Sequence, residues 1–153
     1  MNRMYLFVLL VGCGGAEKPV AAPPPPLDAE PKTCPATPSA AAPRAKMMPV
    51  KLVEGRRTAG EPGIAPDDTT KMHMHEQGLA AVRADVLMCL DEAGTPTEVT
   101  MTSSSCLPAY DKRILAKVGE WRYKPFEIGG KASAVCTNVA FVYRQSPVPV
   151  AAP

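Results

Sequence analysis

Charge, aromatic rings and histidine are all scarce in this chain of 153 residues, and each scarcity removes a class of function. The formal net charge is +2, aromatic residues make up 5% of the chain, and there are two histidines. Arg56, Arg57 and the scattered lysines form no basic stripe, so nucleic-acid binding has no electrostatic footprint. Paired carboxylates, a nucleophile elbow and a phosphate-binding loop are all missing, and two histidines close in sequence complete no triad. The chain therefore reads as a non-enzyme with no cofactor and no metal. His73 and His75 sit in Met72-His73-Met74-His75-Glu76, a set of plausible copper ligands. Residues two apart on a helix do not share a face, which favours a solvated helix surface instead.

Long apolar runs are missing too. Tyr5 to Val11 is an uninterrupted run of seven apolar residues, and a membrane-spanning helix needs about 20. With Arg3 before it and Gly12-Cys13-Gly14-Gly15 after it, the run fits the apolar region of a cleaved export signal. Leu10-Val11-Gly12-Cys13 resembles the lipobox of bacterial lipoproteins. That resemblance implies lipidation of Cys13, cleavage before it, and a mature chain anchored by acyl chains. Gly14 rather than aspartate after Cys13 points to the periplasmic face of the outer membrane as the location.

Proline, by contrast, is abundant. Of the 18 prolines, most lie between Pro19 and Pro49, and a second group runs from Pro147 to Pro153. The first group has almost no aliphatic company and cannot build a core. Proline favours extended polyproline II, which makes this segment a spacer at about 3.1 Å per residue. The expected organisation is a signal peptide over 1–12, a lipidated linker over 13–48, one domain over 49–145 and a disordered proline-rich tail over 146–153. The domain is then roughly 100 residues, about the usual size.

Within the domain, Val50 to Ile64 reads as loop with a short extended piece. Asp67 or Asp68 caps a short helix over 69–77, with Gly78 after it. Val82, Ala84, Val86, Met88 and Leu90 alternate with Arg83, Asp85, Leu87 and Cys89, the period of a half-buried strand. A turn at Asp91 to Thr95, with Gly94 able to take positive φ, leads to a second strand over 97–102. Pro108 suits the first turn of a helix. Tyr110, Ile114, Leu115, Val118 and Trp121 form its apolar stripe. Pro125 blocks its continuation, and Gly129-Gly130 makes another turn. In a third strand over 133–143, Val135, Thr137, Val139, Phe141 and Tyr143 share one face. The fold class is thus α+β: a small three-stranded antiparallel sheet in the order 2-1-3, with the helix packed on one face. The core is expected from Val86, Met88, Leu90, Ile114, Val118, Trp121, Val139 and Phe141. Strand three is left as an exposed edge, a template for adding another strand.

Val82–Asp91, Gly94, the serines at 103–105, Tyr110-Asp111, Trp121-Arg122-Tyr123-Lys124-Pro125, Gly129-Gly130-Lys131 and Val139–Phe141 together resemble the TonB C-terminal domain family over roughly residues 80–144. The family pattern is a strand, a D-x-x-G turn, a strand, S-S-G and L-D, a helix ending in W-R/K-F/Y-x-P, a glycine turn and a final strand. Here Ser105-Cys106 replaces the glycine of S-S-G, and Tyr110-Asp111 replaces L-D. The resemblance implies a non-catalytic periplasmic module whose last strand pairs with an extended segment of an outer-membrane transporter or another envelope protein. The recognition edge would be Ala134, Cys136, Asn138, Ala140 and Val142. Members of that family hold the inner membrane by a spanning helix, where this chain has a lipid signal. The alternative is an outer-membrane structural or scaffold lipoprotein with no role in energy transduction. Whether the edge also forms a homodimer is left open.

With Cys13 assigned to lipid, four cysteines remain, in a compartment that permits disulfides. Cys89 near the end of the first strand and Cys136 near the start of the third are adjacent in an antiparallel pair, both facing away from the helix. A cross-strand Cys89–Cys136 bond is therefore expected. Cys34 and Cys106 have no geometric argument, and a bond between them or between molecules stays open.

Overall fold

The computed structural model describes residues 30–36 and 45–145. The export signal, Cys13, most of the linker and the tail after Gln145 lie outside the described residues. The elements in chain order are β1 (Cys34–Pro35), β2 (Lys46–Met47), α1 (Val50–Glu54), β3 (Arg57–Ala59), α2 (Asp68–Glu76), β4 (Ala81–Leu90) and β5 (Pro96–Ser104). They continue with α3 (Pro108–Gly119), β6 (Arg122–Tyr123), β7 (Glu127–Ile128), β8 (Lys131–Ala132) and β9 (Val135–Arg144). The fold is α+β.

Its main sheet has five strands, not three, in the order β1-β5-β4-β9-β2. The long strands β5, β4 and β9 lie in the middle, each antiparallel to its neighbour. Two-residue strands have been added on both sides. β1 pairs antiparallel with Ser103 and Ser104, and β2 pairs parallel with Val135 and Cys136. Residues 32–35 and 45–48, expected in the linker, are thus part of the folded unit. Lys32 donates its N–H to the Ala81 carbonyl and accepts from Arg83.

β4 is buried along almost its whole length, because α3 covers one face and Leu87, Cys89 and Cys136 pack with Ala45 on the other. Val82, Ala84, Val86, Met88 and Leu90 turn their alternate side chains into the core. Tyr110, Ile114 and Val118 of α3 meet them at helical spacing. Val139 and Phe141 complete the contact from β9. Trp121 is buried but falls after the helix, which ends at Gly119. Its ring packs against Phe141 at 6.0 Å between centroids, an ordinary distance for aromatic pairs.

Pro108 opens α3, and Leu107 at the N-cap supplies no side-chain bond. Asp111 compensates by reaching back. Its carboxylate accepts from the Ser105 N–H at 3.0 Å and from the hydroxyls of Ser104 and Ser105. The three serines therefore end a strand and fasten the helix approach. Asp67 caps α2 by accepting from the Thr70 N–H at 2.7 Å, and hydrogen bonding to the Thr70 side chain and then to its main chain holds the Asp67 carboxyl below the usual range.

The segment 50–64 is more ordered than its sequence suggests. α1 starts after Pro49 and buries Val53. β3 pairs with β6 just beyond Trp121.

Candidate docking edge

β9 is the longest uninterrupted partner of β4. Ten consecutive residue pairs, from Ala81↔Arg144 to Leu90↔Val135, keep one register. Strand direction alternates the main-chain groups between the two neighbours. The Gln145 N–H donates to Ala80, and the Cys136 carbonyl accepts from the Met48 N–H. Odd-numbered residues of β9 therefore bond to β4, and even-numbered ones point outward.

Those outward groups meet different fates. Met47 pairs with Cys136, and Ala134 precedes the strand beside the Lys46↔Val135 pair. Cys136 is therefore already covered by β2, while Ala134 is exposed just before the strand. Asn138, Ala140 and Val142 have no strand partner on that side among the described residues. All three are exposed, and the Val142 side chain is 48% accessible.

Beside this stretch runs a groove of about 320 Å³, lined in part by Ile64, Tyr110, Ala140, Val142 and Tyr143, with no charged side chain in its wall. Two side-chain bonds hold the opposite bank of the groove. The Tyr110 hydroxyl donates to the Ile64 carbonyl at 2.7 Å, and the Trp121 indole donates to Glu61 at 3.2 Å. Burial, followed by nearby Tyr143 and Asp111, pushes the Tyr110 phenol up to about 12. It stays a neutral donor at ordinary pH. Sequence reading missed this bank, because a Gly/Pro-rich loop has no periodicity to place it against a strand.

The other long edge is less suited to accept a strand. β5 carries two register shifts against β4, with Thr102 and Thr97 as extra residues, and starts at a proline. Bulges and edge proline are devices that blunt a strand as a template. Both threonine hydroxyls return to β4 carbonyls, Thr102 to Asp85 and Thr97 to Cys89.

Two disulfides flank the sheet. Cys89–Cys136 joins directly opposed residues of β4 and β9. Cys34–Cys106 joins β1 to the turn before α3. Cys106 has φ +68°, the only described non-glycine residue with positive φ.

His73 and His75 are exposed on α2, while Met74 between them is buried in the core. His73 contacts Gln77 at 2.9 Å. Among the described residues no group of three or more His, Cys, Asp or Glu could hold a metal ion. Also among them, no helix is long and apolar enough to cross a membrane.

In comparison with known proteins, no family model matches this chain, and no curated protein matches it.

Proposed function

We propose that the chain is a lipid-anchored, non-catalytic interaction module of the bacterial envelope that takes up an extended protein segment by strand addition to β9. The observation that carries the proposal is the open stretch Asn138–Val142, with outward main-chain groups beside an uncharged groove. Main-chain hydrogen bonds would supply affinity, and alternate side chains entering the groove would supply selectivity. A charged side chain would lose its hydration there with no counter-charge in return. The accepted segment is therefore apolar at every second position.

The likeness to the TonB C-terminal domain is read in the same way. In this chain the residue that takes left-handed backbone in the serine turn is Cys106. A glycine in an S-S-G turn would meet the same backbone demand without a Cβ. Asp111, from the pair standing where the family has L-D, holds that turn. The partner would be an outer-membrane transporter or another envelope protein, and the anchor would be the acylated Cys13.

Proline at an outward position tests the proposal, because it deletes a docking donor and leaves the β4 ladder intact. Asn138→Pro and Ala140→Pro should each fold, by circular dichroism and thermal melting. Each should also lose most of the envelope protein that the lipidated wild type retains in a pull-down from membranes. If both variants retain that partner at wild-type levels, strand addition at β9 is wrong. Anchoring is tested separately: Cys13→Ser should release the protein from the membrane fraction, and unchanged processing and membrane retention would sink it.

A further inference from the structure

We propose that the Cys34–Cys106 disulfide is a redox-controlled strap that decides at which edge of the sheet the N-terminal tether joins the fold. This rests on the reading above that the tether leads to an anchor and that β9 is the docking edge.

The two disulfides sit in different surroundings. Cys89 and Cys136 are 7% and 1% exposed and pack with Leu87 and Ala45. Cys34 and Cys106 are both half-buried and lie outside the core. Thiol–disulfide exchange needs a thiolate to reach a sulfur in line, so access separates the two bonds. A dithiol reductant would attack the more accessible pair, Cys34–Cys106, first. Its thiolate forms a mixed disulfide and releases one cysteine thiolate. Its second thiol then resolves the mixed disulfide. Two electrons and two protons convert the bond to two thiols, and the reductant becomes a disulfide.

Little else fastens the strap. None of residues 30–36 belongs to the core. What remains is the two-residue pairing with Ser103 and Ser104, the bonds of Lys32 with Ala81 and Arg83, the Thr33 hydroxyl against Ser103 and Ser104, and the Ser103 hydroxyl donating to the Cys34 carbonyl. Each of these hydrogen bonds is of small net worth.

Topology gives the strap its consequence. β1 and β2 occupy opposite edges of the five-stranded sheet, four strand spacings or about 19 Å apart. With the bond closed, the tether joins at Lys32, beside Val82 of β4 on the side away from β9, and then at β1. With it open, the first attachment among the described residues is β2, on β9 itself. The tether also gains at least the released residues 32–36, on the order of 15 Å of reach when extended. Reduction would therefore move the anchor side of the molecule from the β4 and β1 side of the sheet to the docking edge and lengthen the leash.

The test uses the full chain under non-denaturing conditions with graded dithiothreitol, followed by differential alkylation and mass mapping. Cys34 and Cys106 should become alkylated at least about tenfold faster than Cys89 and Cys136. Hydrogen exchange on the same samples should show the Lys32 and Arg83 amides at least about tenfold faster, with Val86 and Val139 unchanged. A Cys34→Ser/Cys106→Gly variant should show that exchange pattern without reductant, the glycine sparing the backbone at φ +68°. The proposal fails if all four cysteines open together, or if Lys32 and Arg83 stay protected once Cys34–Cys106 is open or replaced. No docking partner enters these measurements, so their failure is distinct from failure of strand addition at β9.

Discussion

The two disulfides should contribute to stability in the reverse of the order that their loop lengths suggest. Cys89 and Cys136 are 47 residues apart, and Cys34 and Cys106 are 72 apart. Loop-closure entropy in the unfolded chain alone gives about 4.0 kcal/mol for the shorter loop and about 4.4 kcal/mol for the longer. The folded states differ, however. Cutting Cys89–Cys136 leaves β4 and β9 fixed by their ten-residue ladder and the core beneath. The folded state then gains almost no freedom, and the loss is the full loop term plus a small cavity at two buried side chains. Cutting Cys34–Cys106 frees residues 30–36, which contribute nothing to the core. Each ordered residue so released returns about 1 kcal/mol of backbone entropy, and the hydrogen bonds given up offset only part of that. The net loss should be about 1–2 kcal/mol.

The assay is equilibrium unfolding in urea, with Cys89→Ala/Cys136→Ala and Cys34→Ser/Cys106→Gly measured beside the oxidised wild type. The first pair should lower stability by about 4 kcal/mol, and the second by less than half as much. If the second pair costs as much as the first, the segment at residues 30–36 belongs to the cooperative core. The reasoning from contacts, and the strap itself, would then be refuted.

Two further perturbations probe the frame around the docking edge. Gly94 has φ +82°, and a Cβ there would lie 2.2 Å from the Tyr123 carbonyl oxygen. Gly94→Ala should therefore cost about 2 kcal/mol or more in thermal or urea unfolding, and a loss below about 0.5 kcal/mol would contradict the close approach. Burial is the main cause that raises the phenols of Tyr110 and Tyr123 from 10.0 to about 12. The unfolded chain therefore releases these protons first, and the stabilisation they give is complete below pH 10 and lost as pH rises through 12. Above pH 10, stability should fall by about 1.4 kcal/mol per pH unit for each phenol that ionises only on unfolding. Tyr110→Phe should reduce that slope, and an unchanged slope would sink the assignment.

How much of this was legible in the sequence depends on how each element is held. β4 and α3 each bury a regular stripe, so period two from Val82 to Leu90 and helical spacing from Tyr110 to Val118 were visible in residue order. The turn at Gly94 was visible because glycine readily takes the positive φ found there, whereas the Tyr123 backbone that lies where a Cβ would be was not. β1 and β2 were not, because two residues cannot display a period. β1 is a strand only because the β5 edge and a disulfide hold it there, and β2 only because the β9 edge does. The same limit explains why the pairing of Cys136 with Met47 was not expected. Nothing in Lys46-Met47 announces that it will cover Cys136, so sequence could place the third strand at an edge but not say how much of that edge was open. It also explains why Cys34 and Cys106 could not be paired. A cross-strand bond follows once two strands are registered, as Cys89 and Cys136 are. A bond that itself positions a two-residue strand has no prior register from which to be inferred. That asymmetry also has a physical side. The bond that could be inferred from strand geometry reinforces a contact the core already makes. The one that could not be inferred holds a contact the core does not make, and so it is the one whose opening would change the molecule's shape without unfolding it.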